Sequence, residues 1–523
     1  MMFRATKALL LILFSFPAWA ATPITAGTDL STVLNSSGEY ELQAGTHTVS
    51  TGFTMATSVT LTCVPEASIL LSSSVILKFD DNNIISGCNW RMSNDSRLQA
   101  EAVSGNTFVQ NAIIENNVFS TSGTITTAPT LRFGQGFNSY HRNNIVMNNS
   151  FFSVVVLEEV GDNIDYIGNQ WFGMDNLRPL QWWGSNHDIL RNYVNGGIFG
   201  LSALGKHNIA ANRRPCTNNN VSSNIVLNTS EEGISFDVVG NVAAETVLRE
   251  YDTVASKPGG DVINLTSANW IAQTTYTGSL YDAVFTSGTL AGQRFKITTH
   301  LGAAFTLSGL SSVYASVTVG DGVSIQLSCY GNTIANNIVI PKLTSTRAHT
   351  SGIALHGTGV DTNIINNIVY GENDGVGAGE SGYTYFAIRE ASLNSITATD
   401  SITGNARRGP VGLNQVIGNR NLGGGIGSDY KNYGGSPDYT PPPSTYSDNL
   451  TISSSSIFWV GGDAPTTAEG FKLKPLSPLL GEGSPLGAKY DYESKRCGNP
   501  STIGPFCSIA QDSRSSYIPR TTY

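Results

Sequence analysis

Short apolar runs that lead into asparagine recur along this chain, and they are the first indication of its architecture. Each copy has a few apolar residues, an asparagine-containing turn and a second short run of β-prone residues. The copies are NAIIENNVFS (111–120), NNIVMNNSFF (143–152), IDYIGNQWFG (164–173), HDILRNYVNG (187–196), NTIANNIVIP (332–341) and TNIINNIVYG (362–371). Runs this short, bounded by Asn and Gly, predict strands and turns rather than helices.

A second series of short strands precedes most of these copies, and each strand ends close to a glycine. Its members are VVLEEVG (155–161), PLQWWG (179–184), GLSALG (200–205), SFDVVG (235–240) and ALHGTG (354–359). Repeats of about 20 to 35 residues are typical of solenoids, in which one supersecondary unit stacks on the next. Asparagine suits the corners of a solenoid because it tolerates left-handed backbone and forms local hydrogen bonds. The pattern predicts a solenoid of parallel strands, with a β-sandwich or a propeller as the alternatives.

These repeats resemble the right-handed parallel β-helix of the pectate-lyase-like superfamily, over roughly residues 60–240 and 331–460. The resemblance implies an all-β fold in which a right-handed parallel β-helix carries a small inserted β module. DLSTVLNSSGEYELQAGTHTV (29–49) is similar to the N-terminal cap and first rungs of such proteins. EGFKLKPLSPLLGEGSPLG (469–487) resembles the tail that follows their last coil.

One long gap interrupts the repeat after Gly240, and the template resumes at Gly331 in the same phase. The segment between them alternates apolar and polar residues and predicts a small β module inserted into one turn. Because the module leaves the solenoid three residues after Asp237, it could wall one side of a groove, or it could be a decoration without a role. The predicted division of the chain is signal peptide 1–20, N-terminal cap and first rungs 21–60, β-helix 61–240 and 331–460, inserted module 241–330 and tail 461–523.

The first 20 residues have the composition of a secretory signal peptide. Arg4 and Lys7 precede the apolar run 8–16, and Ala18-Trp19-Ala20 has the small-residue form of a cleavage site. The run is too short to span a bilayer. We therefore expect cleavage after Ala20 and a secreted or periplasmic protein without a membrane span; an uncleaved anchor is the alternative.

Charge and cysteine content narrow the function classes further. The net charge is −9 and only 13% of residues are charged, so nothing indicates a nucleic-acid partner. Six cysteines, an even number, predict disulfides in an exported chain. Spacing does not decide their connectivity, and the pairing we expect is Cys63–Cys88, Cys216–Cys329 and Cys497–Cys507.

Side chains alternate between the two faces of a strand, which allows the second series of strands to be aligned. The residues taken as inward are Leu157, Leu180, Leu201, Phe236, Leu355 and Ile388. The residues that follow them, predicted to form one outward polar column, are Glu158, Gln181, Ser202, Asp237, His356 and Arg389. Arg132, in LRFGQG, falls one residue out of this register and is left out of the column.

The column places an acid, a titratable ring and a fixed cation on consecutive rungs about 4.8 Å apart. Such a set within about 10 Å is typical of proton-transfer sites. We therefore predict that Asp237, His356 and Arg389 are catalytic. The alternative is an ordinary solvated sheet face, on which polar residues and opposite charges are expected anyway.

Neighbouring residues are candidates for holding a polymer. Trp183 shares the outward parity of Gln181, and an exposed indole is a platform for a sugar ring. Lys206 follows the Ser202 strand and could meet an anionic substrate, while Glu232 lies at the entrance to the Asp237 strand. The predicted substrate-binding residues are Glu158, Gln181, Trp183, Ser202, Lys206 and Glu232.

A long groove on a solenoid suits a polysaccharide, and exported proteins of the superfamily are mostly polysaccharide lyases, hydrolases, epimerases or adhesins. Lyases cleave beside a uronic acid and need a cation, a base and an acid. EEGISFD (231–237) looks like the E-x-x-S-x-K region of chondroitinase-B-like lyases, but Asp237 stands where the lysine would be. The order acid, His, Arg resembles the polygalacturonase arrangement, although the N-x-D, D-D and R-x-K motifs are absent.

The sequence therefore predicts an enzyme that cleaves an acidic polysaccharide by β-elimination. A glycoside hydrolase, which needs two carboxylates, and a non-catalytic carbohydrate-binding or adhesive β-helix are the alternatives. No cofactor is required by this scheme. A calcium ion is compatible with it, because carboxylates such as Asp237 and Glu232 are ligands that calcium prefers.

Overall fold

The computed structural model of the protein describes most of the predicted solenoid and the insertion. The described residues are 21–100, 109–122, 127–133, 141–158, 161–204, 215–237, 249–267, 281–342, 351–356, 361–370, 386–391, 414–422, 425–429, 444–451, 465, 468–474, 477, 479–480, 482–483, 491–493 and 503–506. The predicted signal peptide, Lys206, Cys497 and Cys507 lie outside these ranges. Among the described residues, no helix is long and apolar enough to cross a membrane.

One short helix, α1 (Leu30–Val33), lies near the start of the described chain, capped by Asp29, whose carboxylate accepts the Ser31 N–H at 2.9 Å. The strands before the insertion are β1 (Thr22–Ile24), β2 (Gly38–Leu42), β3 (Gly45–Val49), β4 (Phe53–Thr54), β5 (Val59–Cys63), β6 (Ala67–Leu71), β7 (Ile76–Phe79), β8 (Ile84–Ser86), β9 (Asn89–Met92), β10 (Arg97–Ala100), β11 (Ile113–Glu115), β12 (Val118–Thr121), β13 (Thr130–Phe133), β14 (His141–Arg142), β15 (Ile145–Met147), β16 (Ser150–Phe152), β17 (Val155–Glu158), β18 (Gly161–Asp162), β19 (Asp165–Ile167), β20 (Gln170–Phe172), β21 (Leu180–Trp182), β22 (Gly184–Ser185), β23 (Asp188–Leu190), β24 (Tyr193–Asn195), β25 (Leu201–Leu204), β26 (Asn220–Ser222), β27 (Ile225–Leu227) and β28 (Ile234–Asp237).

The insertion and the last coils follow. The strands of the insertion are β29 (Arg249–Gly259), β30 (Val262–Leu265), β31 (Tyr281–Phe285), β32 (Arg294–Leu301), β33 (Ala304–Leu307) and β34 (Gly322–Leu327). The strands after it are β35 (Thr333–Ala335), β36 (Ile338–Ile340), β37 (Ile353–His356), β38 (Asn363–Ile365), β39 (Ile368–Tyr370), β40 (Phe386–Ala391), β41 (Gln415–Ile417), β42 (Arg420–Leu422), β43 (Gly425–Asp429), β44 (Thr445–Ser447) and β45 (Leu450–Thr451). Two 3₁₀ segments, Leu310–Ser316 and Ala468–Phe471, complete the described elements.

Three long sheets of parallel strands wind along the solenoid, so the predicted parallel β-helix is confirmed. In the described part of the chain, sheet A has 13 strands, sheet B has 12 and sheet C has 11. Sheet A is β1-β2-β5-β8-β11-β15-β19-β23-β26-β35-β38-β41-β44, sheet B is β3-β6-β9-β12-β16-β20-β24-β27-β36-β39-β42-β45, and sheet C is β4-β7-β10-β13-β17-β21-β25-β28-β37-β40-β43. Each coil thus contributes one strand to each sheet, in the order C, A, B.

The interior is filled by apolar side chains that stack from coil to coil. Trp90, Phe119, Phe151 and Trp171 occupy one interior position of sheet B, and all four are fully buried. Neighbouring rings in this row are stacked, with centroids 5.0 to 5.8 Å apart. Aromatic pairs of this kind add about 0.5–1.5 kcal/mol beyond the burial of their area.

An asparagine ladder occupies the turn between sheets A and B and explains the repeated Asn of the sequence. The ladder residues are Asn117, Asn149, Asn169, Asn192, Asn224, Asn337, Asn367, Asn419 and Asn449. From Asn149 onward, each Oδ1 accepts the backbone N–H of the ladder residue on the preceding coil, as Asn337 does from Asn224 at 2.9 Å. The residue before each ladder position has positive φ, for example 56° at Asn336, which is why that residue is so often Asn or Gly.

The inserted β module is a closed antiparallel barrel made of β29, β30, β33, β32, β31 and β34. It interrupts the chain between β28 and β35, yet Asn224 and Asn337 stand on adjacent coils across a gap of 113 residues. The disulfide Cys216–Cys329 ties the end of the insertion to the preceding coil, and Cys63–Cys88 links two early coils. These two predicted pairings are confirmed, whereas Cys497–Cys507 lies outside the described residues.

A cluster of charges anchors the barrel to the solenoid. Within the barrel, Lys296 Nζ lies 2.8 Å from Oδ1 of the fully buried Asp282. The contact to the solenoid is made by Arg294, whose Nη1 lies 3.8 Å from Oδ2 of Asp361 on the next coil. The Arg294 guanidinium also covers the ring of Tyr330, with Cζ 3.2 Å from the ring centroid. Because Tyr330 and Asp361 precede strands of sheet A, the barrel contacts the coils where sheet C gives way to sheet A.

The outer face of sheet B is covered in part by residues from the C-terminal region. Ile225, Ile338 and Ile368 project outward from this sheet on successive coils. They form a second apolar cluster with Phe471 and other residues of the C-terminal region. Sheet B is therefore an internal packing surface along these coils.

Candidate functional site

The outer face of sheet C carries one long column of side-chain positions, which the strand pairing defines coil by coil. In order along the solenoid, the column contains Thr54, Lys78, Gln99, Arg132, Leu157, Gln181, Ser202, Ser235, Ala354, Arg389 and Gly427. A second column lies two residues further along each strand, and its members are Leu204, Asp237, His356, Ala391 and Asp429.

Asp237 and His356 are direct neighbours on the adjacent strands β28 and β37. Their preceding residues, Phe236 and Leu355, are also paired and are both fully buried, as the sequence predicts. Positions 237 and 356 therefore alternate with interior positions along their strands. The structure describes the backbone of these two residues but not their side chains.

Arg389 stands on the next strand, β40, but in a different register from the one that the sequence predicts. It is paired with Ala354, two residues before His356, while His356 is paired with Ala391. The predicted equivalence of Ile388 with Leu355 is therefore wrong, because Ile388 is paired with Ile353. Arg389 and His356 are diagonal neighbours on adjacent strands, which is still within reach of long side chains.

The error has an identifiable cause in the sequence. The prediction aligned the strands by the glycine that follows each of them. In the structure, the strands are aligned instead by the residue that precedes each of them. Gly200, Gly233 and Gly352 each stand directly before the first residue of β25, β28 and β37. A Cβ at Gly200 would lie 2.3 Å from the Gly233 carbonyl oxygen, so the coils approach too closely there for any other residue.

Gln181 and Ser202 are paired in the first column, as predicted. Ser202 is nevertheless fully covered, and its Oγ lies 2.9 Å from Oγ of Ser235 on the next coil. The outer face of sheet C is therefore covered at these two serines rather than open. Gln181, one coil earlier, is partly exposed.

Glu158 does not belong to the outward column, and this placement corrects the prediction from sequence. Val156 is paired with Leu180 and is buried, so Leu157 faces outward and Glu158 faces the interior, 2% exposed. Three apolar residues in a row, Val155 to Leu157, give no alternation from which the parity could be read. With β17 in its true register, Arg132 joins the column because it is paired with Leu157.

The buried Glu158 is held by two polar partners inside the solenoid. His187 Nε2 lies 3.1 Å from Glu158 Oε1, and the Tyr166 hydroxyl donates to Glu158 Oε2 at 2.9 Å. Nδ1 of His187 lies 3.1 Å from the Ile164 carbonyl oxygen, to which a protonated ring donates, at a position that asparagine occupies on later coils. This network is enclosed in the core, so Glu158 cannot contact a polymer on the surface.

Burial and the charge of Glu158 shift the pKa values of His187 and Tyr166. Burial alone would disfavour the imidazolium, but the attraction of Glu158, its hydrogen bond and the more distant Asp162 together raise the pKa of His187 above its ordinary value. Burial, reinforced by Glu158, raises the pKa of Tyr166 well above its usual range. The network therefore favours an imidazolium beside a carboxylate and a neutral phenol.

Trp183 is also misplaced by the sequence argument, because it is 1% exposed and belongs to the main apolar core. Strand β21 ends at Trp182, so outward parity does not extend to position 183. An indole in this position packs within the core and cannot serve as an exposed platform for a sugar ring. Glu232, 4% exposed, is buried before β28, and Lys206 lies outside the described residues.

Positions that the sequence argument missed lie at both ends of the outer face of sheet C. Lys78 and Arg132 flank Gln99 in the first column, and Arg97 lies on the same face two residues before Gln99. Asp429 lies two coils beyond His356 in the second column. The pattern V-I-L-K-F (75–79), with buried Leu77 and Phe79 around Lys78, is a signal that could have identified the first of them. Among the described residues, no group of three or more His, Cys, Asp or Glu is arranged to hold a metal ion.

No family model matches the chain, and no curated protein matches it. Similar solved structures include the A-module of mannuronan C-5 epimerase AlgE4 from Azotobacter vinelandii, with 12% identity over 81% of this chain and 91% of that chain and a TM-score of 0.33. A PL6 family polysaccharide lyase from Pseudopedobacter saltans has 12% identity over 87% of this chain and 96% of that chain, with a TM-score of 0.33. The tailspike protein of E. coli bacteriophage HK620, in complex with a pentasaccharide, has 11% identity over 82% of this chain and 64% of that chain, with a TM-score of 0.34.

The TM-scores of these neighbours, 0.33 to 0.34, are too low to assign a superfamily to this chain. At 11 to 12% identity their likeness concerns the fold alone. The assignment of a parallel β-helix rests on the three parallel sheets of the chain itself.

Proposed function

We propose that this protein is an exported enzyme that cleaves an acidic polysaccharide by β-elimination on the outer face of sheet C. The observation that carries the proposal is the pairing of Asp237 with His356 on adjacent strands, with Arg389 on the next strand. An acid, an imidazole and a guanidinium then stand on three consecutive strands, with backbone positions within about 12 Å of one another. Groups of these three kinds suffice to neutralise, deprotonate and protonate a uronate.

Each residue has a defined part in the proposed reaction. Arg389 pairs with the uronate carboxylate, which makes the adjacent C5 proton more acidic. His356 removes that proton, the electron pair forms the C4–C5 double bond, and the C4–O bond breaks. Asp237 orients the imidazole and the sugar ring, and the leaving oxygen takes up a proton from water or from the His356 imidazolium.

The charges of sheet C favour an anionic polymer as the substrate. Lys78, Arg97 and Arg132 are partly exposed on the outer face of this sheet, several coils before the candidate catalytic residues. The chain as a whole is acidic, with a net charge of −9, so a group of cations on one face is a local feature. Arginine and lysine side chains form charge-assisted hydrogen bonds with carboxylates.

Hydrolysis is the second candidate reaction, and it needs a carboxylate pair about 5 to 10 Å apart. Asp429 lies three coils from Asp237 in the same column, about 14 Å away, which is too far. Glu158, buried in the core, is excluded from the pair. Among the described positions of the flanking strands β25 and β37, no carboxylate neighbours Asp237. This arrangement favours elimination.

The test is a product assay on a panel of acidic and neutral polysaccharides with the full secreted chain. We expect an acidic polymer to yield unsaturated products, seen as rising ultraviolet absorbance together with new reducing ends. New reducing ends without that absorbance would mean hydrolysis and would overturn the proposal. Binding of a polymer without any new ends would instead identify a carbohydrate-binding or adhesive protein. A calcium chelator added to the same assay tests whether a metal ion is required.

A further inference from the structure

A row of outward side chains lies on sheet B, on the coils before those that the C-terminal region covers. In order along the solenoid, the row contains Arg91 on β9, Ser120 on β12, Phe152 on β16 and Phe172 on β20. Arg91 is exposed, and Phe152 is 43% exposed, which is a high value for a large aromatic side chain. Val118, on the same strand as Ser120, is 37% exposed. Contiguous exposed apolar surface with a polar rim is typical of a binding site.

The aromatic part of this row stops at Phe152. The rings of Phe152 and Phe172 are stacked, with centroids 5.2 Å apart and 19° between their planes. The interior row of the same four strands has an aromatic ring on every coil, from Trp90 to Trp171. On the outer face, the coil before Phe152 has Ser120 at the corresponding position. One face of the Phe152 ring is therefore covered by Phe172, and the other is turned toward the coil of Ser120.

The space over Ser120 has room for one further ring. Arg91 and Phe152 are two coil steps apart, about 10 Å. A ring that stacks on Phe152 at about 5 Å, as aromatic pairs do, lies over Ser120 and leaves about 5 Å to the position of Arg91. The Ser120 hydroxyl donates to the Trp90 carbonyl oxygen at 3.1 Å, so this small side chain is held close to the sheet.

The charge of this surface determines which kind of ring suits the space. None of the outward positions of the five neighbouring strands β6, β9, β12, β16 and β20 is Asp or Glu, so no carboxylate at these positions competes for Arg91. Asn89 and Ser150, both partly exposed, stand on the two coils that flank Ser120 and offer hydrogen-bonding groups. The surface thus combines an aromatic face, a cation and neutral polar groups.

We infer that this row is a binding site for one acidic sugar unit of a polysaccharide. The C–H groups on one face of the sugar ring stack on Phe152 over Ser120, and the sugar carboxylate pairs with the Arg91 guanidinium. The sugar hydroxyls exchange hydrogen bonds with Asn89 and Ser150. The ligand class follows from the surface itself. The role of the site, which is to hold the polymer that is cleaved on sheet C, rests on the proposed function.

The test measures the binding of acidic and neutral sugars to the full secreted chain. The probes are tetrasaccharides of alginate and of polygalacturonate, with cellotetraose as the neutral comparison, titrated at low salt and low temperature. Phe152→Ala removes the aromatic face and should weaken binding of an acidic tetrasaccharide about five- to tenfold. Ser120→Trp keeps Phe152 and Arg91 but fills the space between them, so it should weaken binding at least as much.

The charge and the controls are tested with separate variants. Arg91→Gln should weaken binding of the acidic tetrasaccharide about tenfold, as expected for a charge-assisted contact, and Arg91→Lys should restore part of the affinity. Phe152→Trp keeps an aromatic face, and its fluorescence should change when the acidic tetrasaccharide is added. Leu450→Ala, at a 56% exposed leucine of sheet B, and Lys342→Gln, at an exposed lysine after β36, are the matched controls and should bind as the parent does.

The outcomes separate this site from the catalytic proposal. If Phe152→Ala and Ser120→Trp bind the acidic tetrasaccharides as the parent does, or if the parent binds cellotetraose as tightly or binds none of the probes, the inference is wrong and the product assay alone decides the enzyme assignment. If these variants lose binding but the parent releases no product, the site stands and the enzyme assignment falls. If Phe152→Ala turns a dimer into a monomer in sedimentation and leaves sugar binding intact, a second copy covers this face and the inference is wrong.

Discussion

Glu158 and His187 form an ion pair inside the solenoid, with 3.1 Å between Oε1 and Nε2, and neither side chain is exposed. The pair joins one coil to the next at the corner between sheets C and A, where other coils use asparagine. The Tyr166 hydroxyl satisfies the second carboxylate oxygen at 2.9 Å. Removing one partner of such a buried ion pair destabilises a protein more than replacing both partners, because the remaining charge is left uncompensated.

We expect Glu158→Gln to lower the free energy of unfolding by about 3–5 kcal/mol, because the buried imidazolium loses its counter-charge. Tyr166→Phe removes only one hydrogen bond to the carboxylate and should cost about 1.5–3 kcal/mol. Urea unfolding measures both. Glu115→Gln, at a partly exposed position on the outer face of sheet A, is the control and should stay within about 0.5 kcal/mol of the parent. Equal stabilities of the Glu158 variant and the parent would contradict the ion pair.

The same pair predicts a loss of stability at alkaline pH. The pKa of His187 is raised above 6.5 in the folded protein, so its contribution is fully present below that value and is lost as pH rises through the raised pKa. NMR titration of the His187 ring should report a pKa above 6.5 in the parent and a lower one in Glu158→Gln. A His187 pKa that does not respond to the substitution would count against the assignment.

His141 should make the stability of the protein depend on pH in the opposite direction from His187. It is buried against Phe133, its Nδ1 accepts the Val109 N–H at 3.2 Å, and burial lowers its pKa from 6.5 to about 4. A lowered pKa contributes stability above 6.5 that is lost as pH falls toward 4, by roughly 3 kcal/mol in total. His141→Asn keeps an acceptor for Val109 and removes the titration. Its unfolding free energy should fall less than that of the parent between neutral and acidic pH, and parallel curves would refute the prediction.

The asparagine ladder yields a third kind of prediction. Asn337 accepts the Asn224 N–H and donates to the Val221 carbonyl, both at 2.9 Å, in the fully buried turn that bridges the insertion. Asn337→Ala leaves several buried groups unpaired, at about 1–3 kcal/mol each, so we expect the urea midpoint to fall steeply. Asn116→Gly is the control, because Asn116 is exposed with a φ of 55° that glycine adopts without strain. Equal midpoints for the two variants would show that the ladder is dispensable.

The fold could be predicted from sequence because its most regular local feature, the asparagine turn, is visible in individual residues. The turn between sheets A and B has a left-handed residue followed by a ladder asparagine on coil after coil, so Asn336-Asn337 and Asn366-Asn367 recur as visible pairs. The insertion was visible for the same reason, since the rule stops before it and resumes after it. The spacing of the cysteines did not decide the pairing Cys216–Cys329, which the structure confirms by bringing the two residues together on adjacent coils.

The site was harder to predict from sequence. The alternation of apolar residues shows which face of a strand is buried, but not how far the strand is shifted along its neighbour. Ile234 and Phe236 are both apolar and both interior, so shifting β28 by two residues leaves the hydrophobic pattern unchanged. The apolar run before Glu158 leaves even the parity undetermined, and no local feature of the sequence shows that His187, on the next coil, pairs with it. Such partners are set by how the coils stack, which depends on the turns between them.

The candidate catalytic residues provide the most demanding test. Asp237 and His356 are paired on adjacent strands, and Arg389, on the strand after His356, is the diagonal neighbour of His356. We expect Asp237→Asn and His356→Gln each to lower kcat by about 10²–10⁴-fold on the substrate that the parent cleaves, since each change removes a proton-handling or orienting group. Arg389→Gln should lower kcat/KM more than it changes the affinity for a neutral oligosaccharide, because it removes only the contact to the uronate carboxylate.

Asp188→Asn, on a partly exposed strand position of sheet A, is the matched control and should keep the activity of the parent. Circular dichroism and urea unfolding establish that every variant is folded before rates are compared. Because Arg389 is paired with Ala354 and not with His356, a long side chain is needed to span the diagonal, and Arg389→Lys should restore part of the activity lost in Arg389→Gln. If the folded Asp237 and His356 variants turn over within a few-fold of the parent, these positions are a sheet surface and the chemistry lies elsewhere on the chain.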